Sequence, residues 1–302
     1  MPAYELGINT CFAVKRWPEP EEWAAIVRQR LGLDLVQHSL DLVALDAPGR
    51  VRERQAEEVR AACDRFGLTM HSTFTGLGAY SSNLLLDPDP ALRRHAEQWY
   101  RRAIDFTVQV GGRATGGHVG AYSVRDWTDP GRRASLHADL RASLTRLSRR
   151  ARRAGLEALY VENLAAAREP STMEGISRLL TAGDDSGVPV VLCLDVGHMC
   201  VPGTTGAERD PCAWLERFGA RAPVVQLQQS DAEGDHHWPF TKEANARGRI
   251  DAGRVLEALG RSGAERVTLI LEIIPTFESS DDQVLDELAE SVEFWRSALE
   301  NT

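Results

Sequence analysis

The sequence predicts a (β/α)8 barrel that spans residues 1–302 as a single domain. Eight short apolar runs alternate with longer amphipathic runs, which is typical of parallel strands joined by crossover helices. The chain has 302 residues, a little above the ~250 typical of this architecture. The later apolar runs are almost unbroken, as expected of strands that are covered on both faces.

The alternative fold is an open, doubly wound sheet. The dinucleotide-binding members of that class carry G-x-G-x-x-G after the first strand, and P-loop proteins carry G-x-x-x-x-G-K-[ST]; neither motif occurs here. No internal repeat beyond the strand–helix unit, low-complexity tract or linker divides the chain. The barrel is therefore the preferred interpretation.

Strands are predicted where short apolar runs are bounded by turn residues. The sixth run, VPVVLCLDVGH, contains the longest apolar stretch of the chain, 188–194, which has the length of a buried strand. The fourth, GRATGGHVGA, is the weakest. In chain order the predicted strands are residues 4–10, 33–42, 68–74, 112–121, 157–164, 188–198, 222–231 and 266–275.

Helices are predicted where apolar residues recur at a spacing of three and four. Prolines open the first helix, as suits a helix start, and Gly67 ends the second. In chain order the predicted helices are residues 19–30, 50–66, 88–110, 129–154, 170–182, 210–218, 252–261 and 281–299.

The charge balance argues against nucleic-acid and membrane partners. Lys and Arg number 35 against 44 Asp and Glu, so the net charge is −9, and an acidic protein repels nucleic acid and anionic lipid unless basic residues are concentrated locally. Arginines are dense in Ser143–Gly155, but on a helix they spread around more than one face. We interpret that stretch as a solvated outer helix of the barrel.

Composition also favours a cytoplasmic protein. No stretch approaches the ~18–20 apolar residues that a membrane span needs, and the first residues, MPAYELGINTCF, do not resemble a signal peptide. The chain has 5 cysteines and no Cys-x-x-Cys pair, which indicates reduced thiols. Cys193 and Cys200, which flank Asp195, are interpreted as packing residues.

Carboxylates stand where three of the predicted strands end. Glu162 ends the fifth strand, Asp195 the sixth, and Glu272 lies in the eighth. Active sites of such barrels lie at the C-terminal ends of the strands, and buried carboxylates that converge there repel one another unless they are paired or metal-bound. We expect a divalent cation, since oxygen-rich ligand sets suit Mg²⁺, Mn²⁺ or Co²⁺. The alternative is a set of salt bridges to Arg or Lys.

Histidines follow or lie within several of these strands. His198 is three residues after Asp195 and could hold a substrate hydroxyl, or bond the backbone of its turn. His71 on the third strand and His118 on the fourth are candidates for the substrate pocket, with a buried structural role as the alternative.

An irregular loop, DAEGDHHWPF, follows the seventh strand. His236 and His237 could be surface residues, whereas Trp238 could form a pocket wall or lid for a carbohydrate, or anchor the loop. Arg247 or Arg249 further along could hold a substrate carboxylate or phosphate, or be an ordinary surface arginine.

Taken together, these motifs resemble the xylose isomerase-like sugar isomerases and epimerases, also known as apurinic endonuclease family 2, and most of all the ketose 3-epimerases of the tagatose/psicose type. The residues that carry the resemblance are the E-N pair, the L-D-x-G-H turn, the L-E of the eighth strand and the segment Gly248–Asp251, which resembles the G-x-G-x-I-D of the family. The resemblance covers nearly the whole chain.

The resemblance implies one divalent metal ion, for which we expect Mn²⁺, held by Glu162, Asp195, Gln228 and Glu272. Glu162 and Glu272 would exchange a proton with the carbon beside the carbonyl of an open-chain ketose through an enediolate. His198 would orient the substrate or stabilise the enediolate oxygen. The remaining substrate-binding candidates are His71, His118, His237, Trp238 and Arg247. Proteins of this family commonly associate, so the resemblance also allows a homo-oligomer.

One position departs from the family. The metal-binding histidine of the seventh strand is replaced by a glutamine, at 228 or at 226. An amide oxygen can bind Mn²⁺ or Mg²⁺, and His237 could move in to compensate. The departure leaves open a metal-dependent lyase or decarboxylase acting on a 3-oxo sugar acid or 3-oxo glycoside, and a barrel that binds sugar without turnover. DNA repair fits poorly, because the chain is acidic and has too few histidines at the strand ends.

Overall fold

The computed structural model describes residues 2–301, and within them eight strands form a closed barrel in chain order. The strands are β1 Ala3–Asn9, β2 Leu35–Ser39, β3 Thr69–Phe74, β4 Ala114–Gly117, β5 Ala158–Glu162, β6 Val190–Asp195, β7 Val224–Leu227 and β8 Arg266–Leu271. Every strand whose pairing the structure records is parallel to its neighbours. The predicted fold class is confirmed.

Helices separate the strands, as predicted. They are α1 Pro20–Ala25, α2 Gly49–Phe66, α3 Pro90–Gln109, α4 Val124–Thr128, α5 Pro130–Ala154, α6 Met173–Leu179, α7 Pro211–Phe218, α8 Lys242–Arg247, α9 Ala252–Arg261 and α10 Asp281–Glu300. A π-helical turn, Ile26–Arg30, extends α1 to the predicted end of the first helix. Short 3-10 helices cover Thr10–Ala13, Leu40–Leu42, Leu77–Ser81, Leu84–Leu86, Gly206–Arg209 and Gly219–Arg221.

Seven of the eight predicted strands are too long at their C-terminal ends, and the third ends at Phe74 as predicted. The prediction ran the sixth strand to His198 and the seventh to Asp231, whereas β6 stops at Asp195 and β7 at Leu227. The extra residues belong to the loops that carry the polar side chains. The two short helices α4 and α8 were not predicted, because segments of five or six residues are too short to show a helical period.

The described residues fall into two compact units. The first contains the residues up to 37, 62–69 and those from 193 onward. In it, β1 pairs with β8 from Ala3↔Arg266 to Ile8↔Leu271 and with β2 at Ile8↔Val36. The prediction of a single domain over 1–302 stays a prediction.

The loop after β7 is anchored to the last helix of the first unit. Phe240 is 1% exposed, stacks on Phe294 at 5.4 Å and meets Trp295 edge-on at 5.3 Å. Its backbone N–H donates to the Ser291 hydroxyl at 2.8 Å. Burial of such an aromatic side chain stabilises the fold by about 1.5–3 kcal/mol, so this contact holds the end of the 231–240 loop in place.

The second unit contains residues 38–61 and 70–192 and has β3, β4 and β5 at its centre. Gly116 in β4 has φ +145, and a Cβ there would overlap the backbone of Tyr160 in β5, so the strand needs glycine at this point. Behind the strands, the Thr73 hydroxyl bonds those of Thr107 and Thr115 at 2.6 and 2.7 Å. These bonds satisfy hydroxyls that are buried between β3, β4 and α3.

The long basic helix α5 begins and ends as the sequence predicts. Asp129 caps it by accepting from the N–H groups of Gly131 and Arg132, and Gly155 ends it with φ +93. Arg146 pairs with Glu97 of α3 at 2.7 Å, and Arg150 pairs with Asp105. Both of these arginines of Ser143–Gly155 thus contact carboxylates of the same unit.

None of the helices described over residues 2–301 combines the length and the apolar character needed to cross a lipid bilayer.

Candidate functional site

Polar side chains cluster where β6, β7 and β8 end in the first unit. Asp195 is the last residue of β6, Gln226 lies in β7, and Gln228 and Glu272 directly follow β7 and β8. All four are buried, with at most 6% of the residue exposed. The strands are parallel and in register, with Asp195 opposite Gln226 and Leu227 opposite Leu271, so these side chains share one edge of the sheet.

The turn after β6 brings Asp195 and the amide of Gln228 together. Asp195 Oδ1 accepts the backbone N–H of Gly197 at 2.6 Å, as is usual for aspartate in a tight turn. A Cβ at Gly197 would overlap the Gln228 side chain. The glycine of the D-V-G-H motif therefore makes room for Gln228.

Glu272 is held by carboxamides from β1 and β7. Its Oε1 accepts from Asn9 Nδ2 at 2.9 Å and from Gln226 Nε2 at 2.8 Å. Both amide nitrogens also donate to Gln37 Oε1 at 2.9 Å. Gln226, one of the two positions considered for the missing histidine, thus directs its amide nitrogen at Glu272. The sequence analysis did not single out Asn9 or Gln37. Each could have been recognised as a polar amide side chain within a predicted strand of the barrel.

Burial controls the ionisation of Glu272. It raises the pKa of Glu272 to about 8, with a further rise from Asp195 and an opposing effect of His237. A carboxyl in this position retains a proton at neutral pH unless a cation replaces it.

Gln228 directs its amide nitrogen, and not its oxygen, at the carboxylates. Nε2 donates to Asp195 at 3.1 and 3.2 Å and to Asp235 Oδ1 at 2.8 Å. Its Oε1 accepts the backbone N–H of His237 at 2.6 Å. The orientation is determined by these partners, because a flipped amide would set its oxygen against carboxylates and its nitrogen against an N–H. It does not support the prediction that Gln228 is a metal ligand.

His237 lies in the same cluster and is 8% exposed. Its Nδ1 lies 3.1 Å from the backbone oxygen of Glu272 and donates to it, which leaves Nε2 to face Asp195, His198 and Asp235. Burial alone would lower the pKa of His237, but the charge of Asp235 and the hydrogen bond to its carboxylate raise it to about 9. The sequence analysis allowed His237 to be a surface residue, and its burial excludes that alternative.

Asp235 is a further site residue that the sequence prediction missed. Its Oδ1 lies 3.2 Å from His237 Nε2 and its Oδ2 lies 3.3 Å from His198 Nε2. Although burial alone would raise it, the two histidines hold the pKa of Asp235 well below its usual range. The sequence feature that could have identified Asp235 is its position directly before His236 and His237 in an irregular loop.

These residues fit a divalent cation. Asp195, His198 and His237 each offer a ligand atom, and the three atoms lie within 4.8 Å of one another. Carboxylate oxygen and imidazole nitrogen together suit Mn²⁺, Co²⁺ or Zn²⁺. Burial and the nearby Asp195 both raise the pKa of Glu272, as is typical of carboxyl groups that share one site.

Three other predicted site residues, Glu162, His71 and His118, lie in the second unit. Glu162 ends β5 and is 2% exposed, and its charge adds to burial in raising the pKa of Tyr100. His71 is the third of six residues in β3, and its Nδ1 bonds Ser72 at 3.0 Å. His71 is therefore not at the C-terminal end of its strand.

His118 directly follows β4 and is fully buried. Its Nε2 pairs with Glu169 at 3.2 Å, and the ring meets Tyr80 edge-on at 4.4 Å. Nδ1 of His118 and Oε2 of Glu169 have no partner within residues 2–301. These two atoms are buried polar groups that a ligand could satisfy.

Trp238 and Arg247 contact each other. The Arg247 guanidinium lies 4.0 Å from the Trp238 ring centroid, and His236 stacks on the same indole at 4.0 Å. His236 also bonds Asp231 at 3.0 Å. Arg249, the alternative to Arg247, instead donates to the backbone oxygens of Arg209 and Met199 at 2.8 and 2.9 Å. Arg249 thus has a structural role in these loops.

Comparison with known proteins agrees with this architecture. The chain is 28% identical over 299 residues to the D-erythrulose 1-phosphate 3-epimerase of Brucella abortus (strain 2308), covering 97% of this chain and 96% of that protein. A crystal structure of a candidate xylose isomerase from Rhodospirillum rubrum ATCC 11170 is 35% identical with a TM-score of 0.90, covering 98% of this chain and 99% of that one.

A D-psicose 3-epimerase from Clostridium cellulolyticum H10 shares the fold at 17% identity, with a TM-score of 0.69 and coverage of 98% and 99%. The family model for the xylose isomerase-like TIM barrel matches residues 26–298. The barrel, the strand-end residues and this match agree, and the chain belongs to the xylose isomerase-like TIM-barrel family.

Proposed function

We propose that the protein is a divalent-metal-dependent isomerase or epimerase of a ketose or ketose phosphate. The observation that carries the proposal is the buried pair of carboxyl groups, Asp195 and Glu272, beside two histidines at one edge of the sheet. Such a cluster costs stability unless it serves a ligand. The names of the relatives supply the substrate class, since one is a ketose-phosphate 3-epimerase.

Glu162, Asp195 and Glu272 would hold the ion, with one further ligand from Gln228 or from the loop after β7. When bound, a divalent cation polarises the substrate carbonyl and makes the neighbouring C–H more acidic. We expect Mn²⁺, with Mg²⁺ or Co²⁺ as alternatives.

The chain's own residues would carry the proton. Glu272 is fixed by Asn9 and Gln226, so its second oxygen can accept the proton from the carbon beside the carbonyl. Glu162 would return a proton to the resulting enediolate. Return to the opposite face of the same carbon gives the epimer, and return to the former carbonyl carbon gives the isomer. His198 would orient the substrate oxygens.

The test is deuterium incorporation from heavy water. The Mn²⁺-loaded protein is incubated with D-erythrulose 1-phosphate, D-tagatose and D-psicose, and exchange beside the carbonyl is followed by NMR. We expect exchange with at least one of them and its loss in Glu272→Gln, which preserves the shape of the side chain.

Two outcomes contradict the proposal. No exchange, together with binding of the sugars, would indicate a barrel that binds sugar without turnover. Release of CO₂ from a 3-oxo sugar acid, or elimination from a 3-oxo glycoside, would instead identify a lyase.

A further inference from the structure

We infer that the ligand which replaces the strand-seven histidine is His237 Nε2, supplied by the loop after β7, and that Gln228 is a positioning residue that holds His237 there. The inference rests on the proposed metal dependence and deepens it. It assigns separate roles to two residues that the sequence left as alternatives.

Gln228 is unsuited to bind a cation in this structure. The ligand atom of a glutamine is its amide oxygen, and that oxygen accepts the backbone N–H of His237 at 2.6 Å. The nitrogen, which cannot bind a cation, faces Asp195 and Asp235. To become a ligand, Gln228 would lose its bond to the loop.

His237 has the features of a metal-binding histidine. Ligating histidines donate their other ring N–H to a carbonyl or carboxylate, which fixes the tautomer. His237 Nδ1 is bonded to the Glu272 backbone oxygen at 3.1 Å, so Nε2 is the nitrogen that faces the cluster. Its ligand atom lies within 4.8 Å of those of Asp195 and His198.

The backbone of His237 is held in a conformation that a histidine rarely adopts. Its φ is +49, in the left-handed region that favours glycine. Three contacts enforce it: the bond from its N–H to Gln228, the bond from the Ile274 N–H to its oxygen at 3.1 Å, and the antiparallel bridge between Gln229 and Trp238. Strain of this kind is concentrated at functional sites.

The role of Gln228 follows from this geometry. Its oxygen holds the strained backbone, and its nitrogen lies 3.3 Å from His237 Nε2 and binds Asp195. One amide thus connects two of the proposed ligands. Gly197 leaves the space that this amide occupies.

The experiment measures Co²⁺ and Mn²⁺ binding, independently of activity. Affinities are determined by competition with a chelator for the wild type, His237→Gln, Gln228→Met and the double variant. His236→Gln is the matched control, since His236 lies in the same loop but contacts Asp231 and Trp238. The Co²⁺ absorption spectrum and the nitrogen modulation of the Mn²⁺ spin echo report imidazole ligation.

We expect His237→Gln to weaken affinity at least 100-fold and to remove the nitrogen modulation, and His236→Gln to change neither. Gln228→Met should weaken affinity about 10-fold, within the range of changes next to metal ligands, and should keep the nitrogen modulation. Because Gln228 acts through His237, its substitution should have little further effect in the His237→Gln background.

Several outcomes overturn the inference. Additive effects of the two substitutions would show that Gln228 acts independently of His237, and persistent nitrogen modulation in His237→Gln would assign the ligand to His198. Failure of the wild type to bind either ion would remove both the inference and the metal dependence. Retained metal binding in His237→Gln, with continued deuterium exchange, would refute the role of His237 and leave the proposed function unaffected.

Discussion

Asn9 Nδ2 and Glu272 Oε1 are 2.9 Å apart, although 263 positions separate the two residues in the chain. The bond joins the end of the first strand to the residue after the last. Asn9 also accepts the backbone N–H of Cys11 through Oδ1 at 2.9 Å. Both ends of one carboxamide are thus used, one to close a turn and one to fix a carboxylate.

This arrangement predicts the effect of Asn9→Asp. The carboxylate would keep the turn but replace a donor to Glu272 by a negative charge. We expect a loss of about 2–3 kcal/mol in the free energy of unfolding of the metal-free protein at pH 8. The loss should be smaller at pH 5, where Glu272 is protonated. Urea denaturation at the two pH values measures both.

The control for that change is Gln98→Glu, which adds the same charge at an exposed position of α3. It should alter stability by less than about 0.5 kcal/mol. Equal losses for the two variants would show that the bond to Glu272 contributes nothing specific.

The titration of Glu272 predicts how stability varies with pH when metal is absent. Its pKa is raised to about 8 in the folded protein, against about 4.3 in an unfolded chain. The stabilising effect of the bound proton is complete below the unfolded value and is lost as pH rises to the folded value. His237, with a pKa raised to about 9, acts in the same direction. The EDTA-treated protein should therefore lose stability between pH 5 and pH 9.

Thermal melting across this pH range measures how steeply stability falls with pH. Glu272→Gln should reduce that slope, because the glutamine side chain cannot ionise. Metal binding must displace these protons, so the affinity for Mn²⁺ should rise with pH over the same interval. An unchanged slope in Glu272→Gln would show that the pH dependence of stability comes from other titrating groups.

The barrel was predicted correctly because the pattern of a short apolar run followed by an amphipathic run occurs eight times in the sequence. Errors are concentrated at strand ends, where the polar residues of the site begin. The run LDVGH continues the apolar pattern of β6, but the chain turns after Asp195 and bonds its carboxylate to Gly197. No local pattern distinguishes such a turn from three more residues of strand.

The sequence analysis predicted the carboxylates of the site, but it did not decide which histidines belong to the site. Glu162, Asp195 and Glu272 stand out because a carboxylate within an apolar run is unusual, and each lies at the end of a strand. His237 and Asp235 lie in a loop without periodicity, and their approach to the site depends on the bond to Gln228. Contacts of this kind follow from the folded backbone and have no signature in the residue order.

The structure of β4 predicts a strict requirement for glycine at position 116. An alanine there would have to adopt φ +145 and its Cβ would overlap the Tyr160 backbone. Because backbone atoms of a central strand cannot move aside cheaply, we expect Gly116→Ala to cost about 3 kcal/mol or more, beyond most point substitutions.

Gly111→Ala is the matched control. Gly111 has φ +82, but no atom lies within 4 Å of the point that a Cβ would occupy there, so this variant reports strain without overlap and should cost about 1–2 kcal/mol. Unfolding in urea compares the two. Equal losses would mean that the overlap with Tyr160 is relieved at no cost.

The pair His118–Glu169 predicts a site for a substrate hydroxyl in the second unit. One nitrogen and one oxygen of the pair are buried without a partner among residues 2–301, and a bound group could satisfy them. If the pair only binds substrate, its loss weakens the ground state and the transition state equally. We therefore expect His118→Gln to raise KM about 10-fold or more, with kcat nearly unchanged.

His95→Gln is the control for this comparison, because His95 lies on α3 with 62% of its side chain exposed. It should change neither constant. A fall in kcat at constant KM in His118→Gln would place His118 in the proton transfer itself. Unchanged constants in both variants, with a lower melting temperature for His118→Gln alone, would give the pair a structural role. Glu169→Gln separates these cases further, because it keeps an oxygen toward His118 Nε2 while removing the charge that orients the ring.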